Sequence, residues 1–199
     1  MARTIAITVY QYEELDEAAK ARARDWWRAV DLGHEAWSEP VTADLKTVAA
    51  FMGWTVSDTA FSGFSSQGDG AQFTGTWRAV DVKDAAALEA HAPKGGSQRN
   101  AKLRLIWAAF AQAALVSPDA TASVSRCGHD AHSLCTRFEF DGLPPDYERS
   151  VAAKARALMD WYYRELETAY TDHMSDEQVA EAIEANEYEF KANGERFTG

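Results

Sequence analysis

The sequence predicts an α+β fold: a mixed or antiparallel sheet made of hairpins and covered by several helices, in a single domain. Three observations carry this expectation. Stretches that alternate apolar and polar residues recur along the chain, segments with apolar residues at three- and four-residue spacing lie among them, and their order is too irregular for repeated βαβ units. The 199 residues, 46% hydrophobic and 12% aromatic, are enough to bury a substantial core.

From Thr4 to Tyr12, Ile5, Ile7 and Val9 alternate with Thr4, Ala6 and Thr8, the period of a strand with one buried face. Asp16 is placed to cap a helix running to about Val30, with Ala19, Ala23, Trp26, Trp27 and Val30 on its apolar side. A second helix is expected from about Trp37 to Met52, stopped by Gly53. Trp54, Val56 and the run from Thr59 to Phe64 read as extended, as does Ala71 to Val80, so the two pair as a hairpin around a glycine-punctuated loop.

Asp84 to His91 reads as a short helix and Pro93 to Asn100 as a loop. Ala101 to Val116 is an alanine-rich helix closed by Ser117 and Pro118. Thr121 to Ser125 and Thr136 to Phe140 alternate again around CGHDAHSLC, which predicts a second hairpin. After the loop signal DGLPPD, a long helix from about Tyr147 to Tyr170 sets Val151, Ala155, Leu158, Trp161, Tyr162 and Leu166 on one side. A last, acidic helix over about 175–193 opens at SDEQ, where Ser175 caps and Gln178 reaches back, and packs on the domain.

A net charge of −11 and a pI near 4.9 argue against DNA, RNA or an anionic membrane surface as partner, since the long-range field repels phosphates. A protein with a basic surface fits better; the same charge also serves ordinary solubility. Two cysteines are too few for a disulfide-framed scaffold. MARTIAITVY lacks the cationic start and apolar core of a signal peptide, and no stretch nears the roughly 18 apolar residues of a spanning helix. A soluble protein of a reducing cytosol is the expectation.

Three segments are capable of carrying function. In FSGFSSQGDGAQFTGTW (Phe61 to Trp77), Gly63, Gly68, Gly70 and Gly75 allow bulges and the close approach of another backbone. Here Ser65, Ser66, Gln67 and Asp69 offer polar groups and Phe64 a ring to stack; alternatively, the glycines only turn the chain and Asp69 bonds its own loop. No P-loop lysine and no GxGxxG opening a helix is present. Cys127, His129, His132 and Cys135, spaced CxHxxHxxC, have the donor types of zinc, yet structural zinc sites usually draw ligand pairs from two separated segments, so no cofactor is expected. His129 and His132 beside Asp69 would instead form a polar cluster, if the two hairpins are neighbours. Glu177, Glu181 and Glu184 share one face of the last helix, as a solvated face or as an acidic surface for a basic protein groove. Neither a GxSxG elbow nor a thiol-enzyme signature occurs, which favours a non-enzymatic role.

The opening ITVYQYEELDEAAKARARDWW, the loop FSGFSSQGDGA, the segment GHDAHS and the ending SDEQVAEAIEANEYEFKANGERF together resemble a family of phage and prophage proteins of about this size. Some members carry the label of an antitoxin of a toxin-antitoxin stability system. The resemblance spans nearly the full chain, and SQGDGA and ANEYEF are its most specific parts. It implies a genomic setting rather than a chemistry: an accessory protein that binds and inhibits a bacterial host or defence protein, of anti-CRISPR or other anti-defence type. A small-ligand (nucleotide-like) binding protein or hydrolase, with an Asp/His site between the hairpin loops, is the alternative. The antitoxin role is third, because the chain has no long disordered tail to wrap a toxin.

Overall fold

The structure, a computed structural model, describes residues 6–30, 35–86, 97–128 and 131–198. Among these residues the chain runs α1 (Glu17–Val30), α2 (Glu39–Phe51), β1 (Met52–Phe61), β2 (Ala71–Val82), α3 (Ser97–Val116), β3 (Thr121–Arg126), β4 (Thr136–Asp141), α4 (Pro145–His173) and α5 (Asp176–Ala185). The fold is α+β, with one four-stranded antiparallel sheet. Two compact units are distinguished: residues 38–167, which contain the sheet, and residues 1–37 with 168–199.

In the sheet unit the strand order is β1-β2-β3-β4, and every neighbouring pair is antiparallel. Alternation decides the two faces. Phe73, Gly75, Trp77 and Ala79 on β2 and Ala122 and Val124 on β3 are buried, while Thr76, Arg78, Thr121, Arg137, Glu139 and Asp141 are exposed. Helices therefore cover one face and leave the other polar. Trp54 of β1 meets Phe73, Phe110 of α3 and Phe138 of β4 at ring separations of 5.5, 6.2 and 6.3 Å. Leu45 and Val48 of α2 and Val151, Ala155, Leu158 and Tyr162 of α4 complete the buried core of this unit. Tyr162 is tied to α2 through its hydroxyl, 2.8 Å from Thr42 Oγ1.

Both expected hairpins form. The β1–β2 pair has register shifts after Met52 and after Val56; the surplus residues lie in β2 at the first and in β1, at Ser57, at the second. The alanine-rich helix begins at Ser97, four residues before the sequence suggested, and the long helix extends to Pro145 and His173. Most of the expected short helix at 84–91 lies outside the described residues.

In the second unit Asp16 caps α1 as expected, its Oδ1 accepting from Ala19 N–H at 2.8 Å. Tyr12, Leu15, Ala19, Ala23 and Trp27 form one buried cluster with Val179, Ile183 and Phe190. Three expectations fail here. The segment 6–9 is not a strand: only Tyr10 pairs, in an isolated bridge to Phe190, and Ile7 is 55% exposed. An alternating pattern becomes a strand only where a neighbour takes up its backbone groups, and among the described residues none runs beside it. The last helix ends at Ala185, well before residue 193. Asn186 caps it, Glu187 takes a positive φ of 51°, and Phe190 turns to bridge Tyr10 and Arg196. Ser175 does cap α5, accepting from Gln178 N–H at 3.3 Å, but the Gln178 amide turns forward to Glu181 rather than back.

Asp176, in the first turn of α5, is paired with Arg28 at 2.6 Å and Arg24 at 3.2 Å. The hydrogen bond from Arg28, supported by Arg24, holds its carboxyl below the usual carboxylate range. A depressed folded-state pKa stabilises the fold above the unfolded value, and the contribution is lost as pH falls through the folded one. Carboxyl-detected NMR is expected to show Asp176 titrating below exposed aspartates, with Arg28→Ala moving it up; an unmoved midpoint in that variant would assign the depression elsewhere.

Candidate functional site

The topology brings the two hairpin loops to one end of the sheet. With antiparallel neighbours throughout, β1 and β3 point the same way, so the loops that follow them, 62–70 and 127–135, leave from the same edge. They touch. A Cβ added at Gly70 would stand 2.9 Å from His132 Cα, so only glycine permits this approach.

Between the loops and α4 lies a cleft of about 350 Å³ lined by Asp69, Gly70, His132, Ser133, Leu134, Arg156, Asp160, Tyr163 and Arg164. Each wall is positioned by local chemistry. In the first loop Asp69 Oδ2 accepts from the N–H groups of Ser65 and Ser66 at 2.9 and 2.6 Å, and Gly70 N–H donates to Ser62 Oγ at 3.2 Å. In the second, Leu134 N–H donates to His132 Nδ1 at 3.1 Å, which leaves the proton of the neutral ring on Nε2. The buried Ser133 hydroxyl donates to Asp160 Oδ1 at 2.7 Å and so joins this loop to α4.

Helix α4 supplies the floor. Asp160, Tyr163 and Arg164 are three or four residues apart, and Arg156 lies one turn before Asp160, so all four fall on one side of the helix. Arg156 is held by Thr136 O at 3.2 Å and lies over the Phe138 ring at 4.9 Å. Tyr163 donates to Gly63 O at 3.0 Å and faces Phe64 at a ring separation of 5.4 Å. Burial first, then the charges of Asp69 and Glu167, pushes its hydroxyl above the usual tyrosine value. Two guanidinium groups and two carboxylates thus line one small space. Such a site suits a ligand that carries an anionic group together with hydrogen-bond donors.

Of the residues singled out from sequence, Asp69 and His132 meet in this cleft. Ser66 and Gln67 are exposed on the loop and do not line it; Ser66 contributes its N–H to Asp69 instead. Phe64 does not line the cleft; its ring is 6.5 Å from that of Phe61 and 5.4 Å from that of Tyr163. His129 lies outside the described residues. Ser133, Arg156, Asp160, Tyr163 and Arg164 were not singled out. The helical periodicity of 147–170 marks only its buried side, and the charged residues flanking that side look like any solvated face. Glu177, Glu181 and Glu184 are exposed on α5, whose opposite side buries Val179 and Ile183.

Cys127 and Cys135 are free thiols at the two ends of the second loop, with Cys127 N–H donating to Cys135 O at 2.9 Å. Among the described residues no three His, Cys, Asp or Glu side chains are grouped to hold a metal ion. No helix of the described residues is long and apolar enough to cross a membrane.

No curated protein and no solved structure matches the chain. Residues 37–176, which contain every residue lining the cleft and stop before Glu177, match a family model, and the chain therefore belongs to the family described as a domain of unknown function, DUF8835.

Proposed function

We propose that this protein binds a small, anionic, nucleotide-like ligand in the cleft between its hairpin loops. The single observation that carries this reading is the convergence of the loops at Gly70 and His132, beside Arg156, Asp160 and Arg164 of α4. The guanidinium groups fit a phosphate or carboxylate of the ligand, and the carboxylates of Asp69 and Asp160 fit amino or hydroxyl donors. Binding is favoured over turnover. Ser133 directs its proton to Asp160 and not to an imidazole, so the hydroxyl is not poised as a nucleophile, and Asp69 Oδ2 is already engaged by two N–H groups.

Calorimetry against a panel of mononucleotides, cyclic nucleotides and NAD-derived molecules tests this. At least one is expected to bind, with Arg164→Ala and His132→Ala each weakening it about tenfold or more, the size of one lost charge-assisted hydrogen bond. Gly70→Ala is expected to weaken it as well, by forcing the His132 backbone away. A panel without a binder, or a binder indifferent to all three changes, would sink the proposal.

A second reading is supported by the exposed Glu177, Glu181 and Glu184 on α5 together with the net charge of −11. In it, the protein is a phage or prophage accessory factor that uses this acidic face to inhibit a host or defence protein with a basic nucleic-acid groove. Capture of one such protein from bacterial lysate, lost on Glu177→Lys and Glu181→Lys and accompanied by a change in plaque formation, is the expected result; retention by the double variant would remove the acidic face from the argument.

A further inference from the structure

We propose that Cys127 and Cys135 form a reversible cross-strand disulfide that closes the loop bearing His132 and Ser133. The β3–β4 register pairs Arg126 with Thr136, so Cys127 and Cys135 fall opposite each other just beyond the ladder, where Cys127 N–H donates to Cys135 O at 2.9 Å while Cys135 N–H donates into the loop, to His132 O. Residues opposite each other across an antiparallel pair have Cα atoms about 4.5–5.5 Å apart. That distance falls within the roughly 4.4–6.8 Å that a disulfide bridges.

Residue parity sets both side chains on the same side. On β3, Ala122 and Val124 face the helices, which turns Thr121, Ser125 and the position of Cys127 outward. On β4, Thr136 is buried and Arg137, Glu139 and the position of Cys135 alternate with it. Both thiols are free, Cys127 exposed and Cys135 half-buried. One sulfur is thus open to an incoming reagent, and the other is placed to resolve the product.

The oxidant is a low-molecular-weight disulfide of the glutathione type. The Cys127 thiolate attacks one sulfur of the reagent, forming a mixed disulfide and expelling one glutathione thiolate. The Cys135 thiolate then attacks Cys127 Sγ, forming the internal disulfide and expelling the second. Two protein thiols are oxidised, one glutathione disulfide is reduced to two thiols, and the two cysteine protons pass to the departing thiolates. Excess reduced thiol reverses both steps. Closure ties down the base of the loop that forms one wall of the cleft, and it requires no ligand there.

The test is intact-mass measurement of the full, native chain after incubation with oxidised glutathione, without reductant. Because the chain has only two cysteines, an internal disulfide has one assignment. Expected is a monomer lighter by two hydrogens, carrying no glutathione and restored by dithiothreitol, while Cys135→Ser retains one glutathione on Cys127. Persistent glutathione adducts on the wild-type chain, a disulfide-linked dimer, or two unreacted thiols would each overturn the proposal.

Discussion

Gly75→Ala is expected to destabilise the sheet unit by about 3 kcal/mol, the upper end of what overpacking a tight site costs. Gly75 lies inside β2, paired with Val56 just before β1 is bulged. A Cβ there would run into the carbonyl oxygen of Thr55 and stand 3.0 Å from its carbon and 3.1 Å from Val56 Cα. All three are backbone atoms of the hydrogen-bonded neighbour β1, so relief requires β1 and β2 to part and their bonds to lengthen. A flexible side chain in the same place would simply rotate away. The adjacent exposed residue is the control: Thr76→Val, on the polar face, is expected within about 0.5 kcal/mol of wild type. Urea melts of the two variants check this, and equal midpoints would show that the strands accommodate the methyl group.

The two buried tryptophans of the sheet are expected to respond differently to the same change. Trp54 and Trp77 are both almost wholly inaccessible, and either truncated to alanine would cost about 4 kcal/mol through lost burial and an unfilled cavity. Phenylalanine separates them. Trp77 Nε1 donates to Met52 O at 2.8 Å, so Trp77→Phe removes a ring and also strands a buried carbonyl. The Trp54 indole N–H has no partner among the described residues, and Trp54→Phe deletes a donor that is already unsatisfied. Trp77→Phe should therefore be the more destabilising by about 1–2 kcal/mol, the penalty for leaving a buried acceptor unmade. Thermal or urea unfolding of the pair gives the difference directly, and a larger loss from Trp54→Phe would reverse the assignment of the two indoles.

Much of the fold is legible in residue order, because it depends on neighbours a few positions away. Apolar spacing at 151, 155, 158, 162 and 166 marks the buried side of α4, and all five positions are buried. Asp16 and Ser175 cap helices because a side-chain oxygen reaches an N–H two or three residues on, whatever the rest of the chain does. Asp69 turns back on its own loop for the same local reason. Where a pattern needed a distant partner, residue order misled. The alternation over 4–12 promised a strand, but Tyr10 finds a single bridge, and Phe190 leaves the helical path expected of it to make that bridge.

The cleft belongs to the second kind. By itself, the sequence determined that two hairpins exist, that their loops are rich in glycine and histidine, and that a long amphipathic helix follows them. It did not determine where the second hairpin joins the first, since the connection from β2 to β3 is long and passes through α3, leaving β3 free to lie beside either strand. Pairing β3 with β1 would have reversed its direction and sent the histidine loop to the opposite end of the sheet. Tertiary structure made that choice by placing β3 beside β2, where Ala122 and Val124 join the buried face that Trp54, Trp77 and Phe110 fill. Burial of that apolar face set the strand order, and the strand order brought Gly70 against His132.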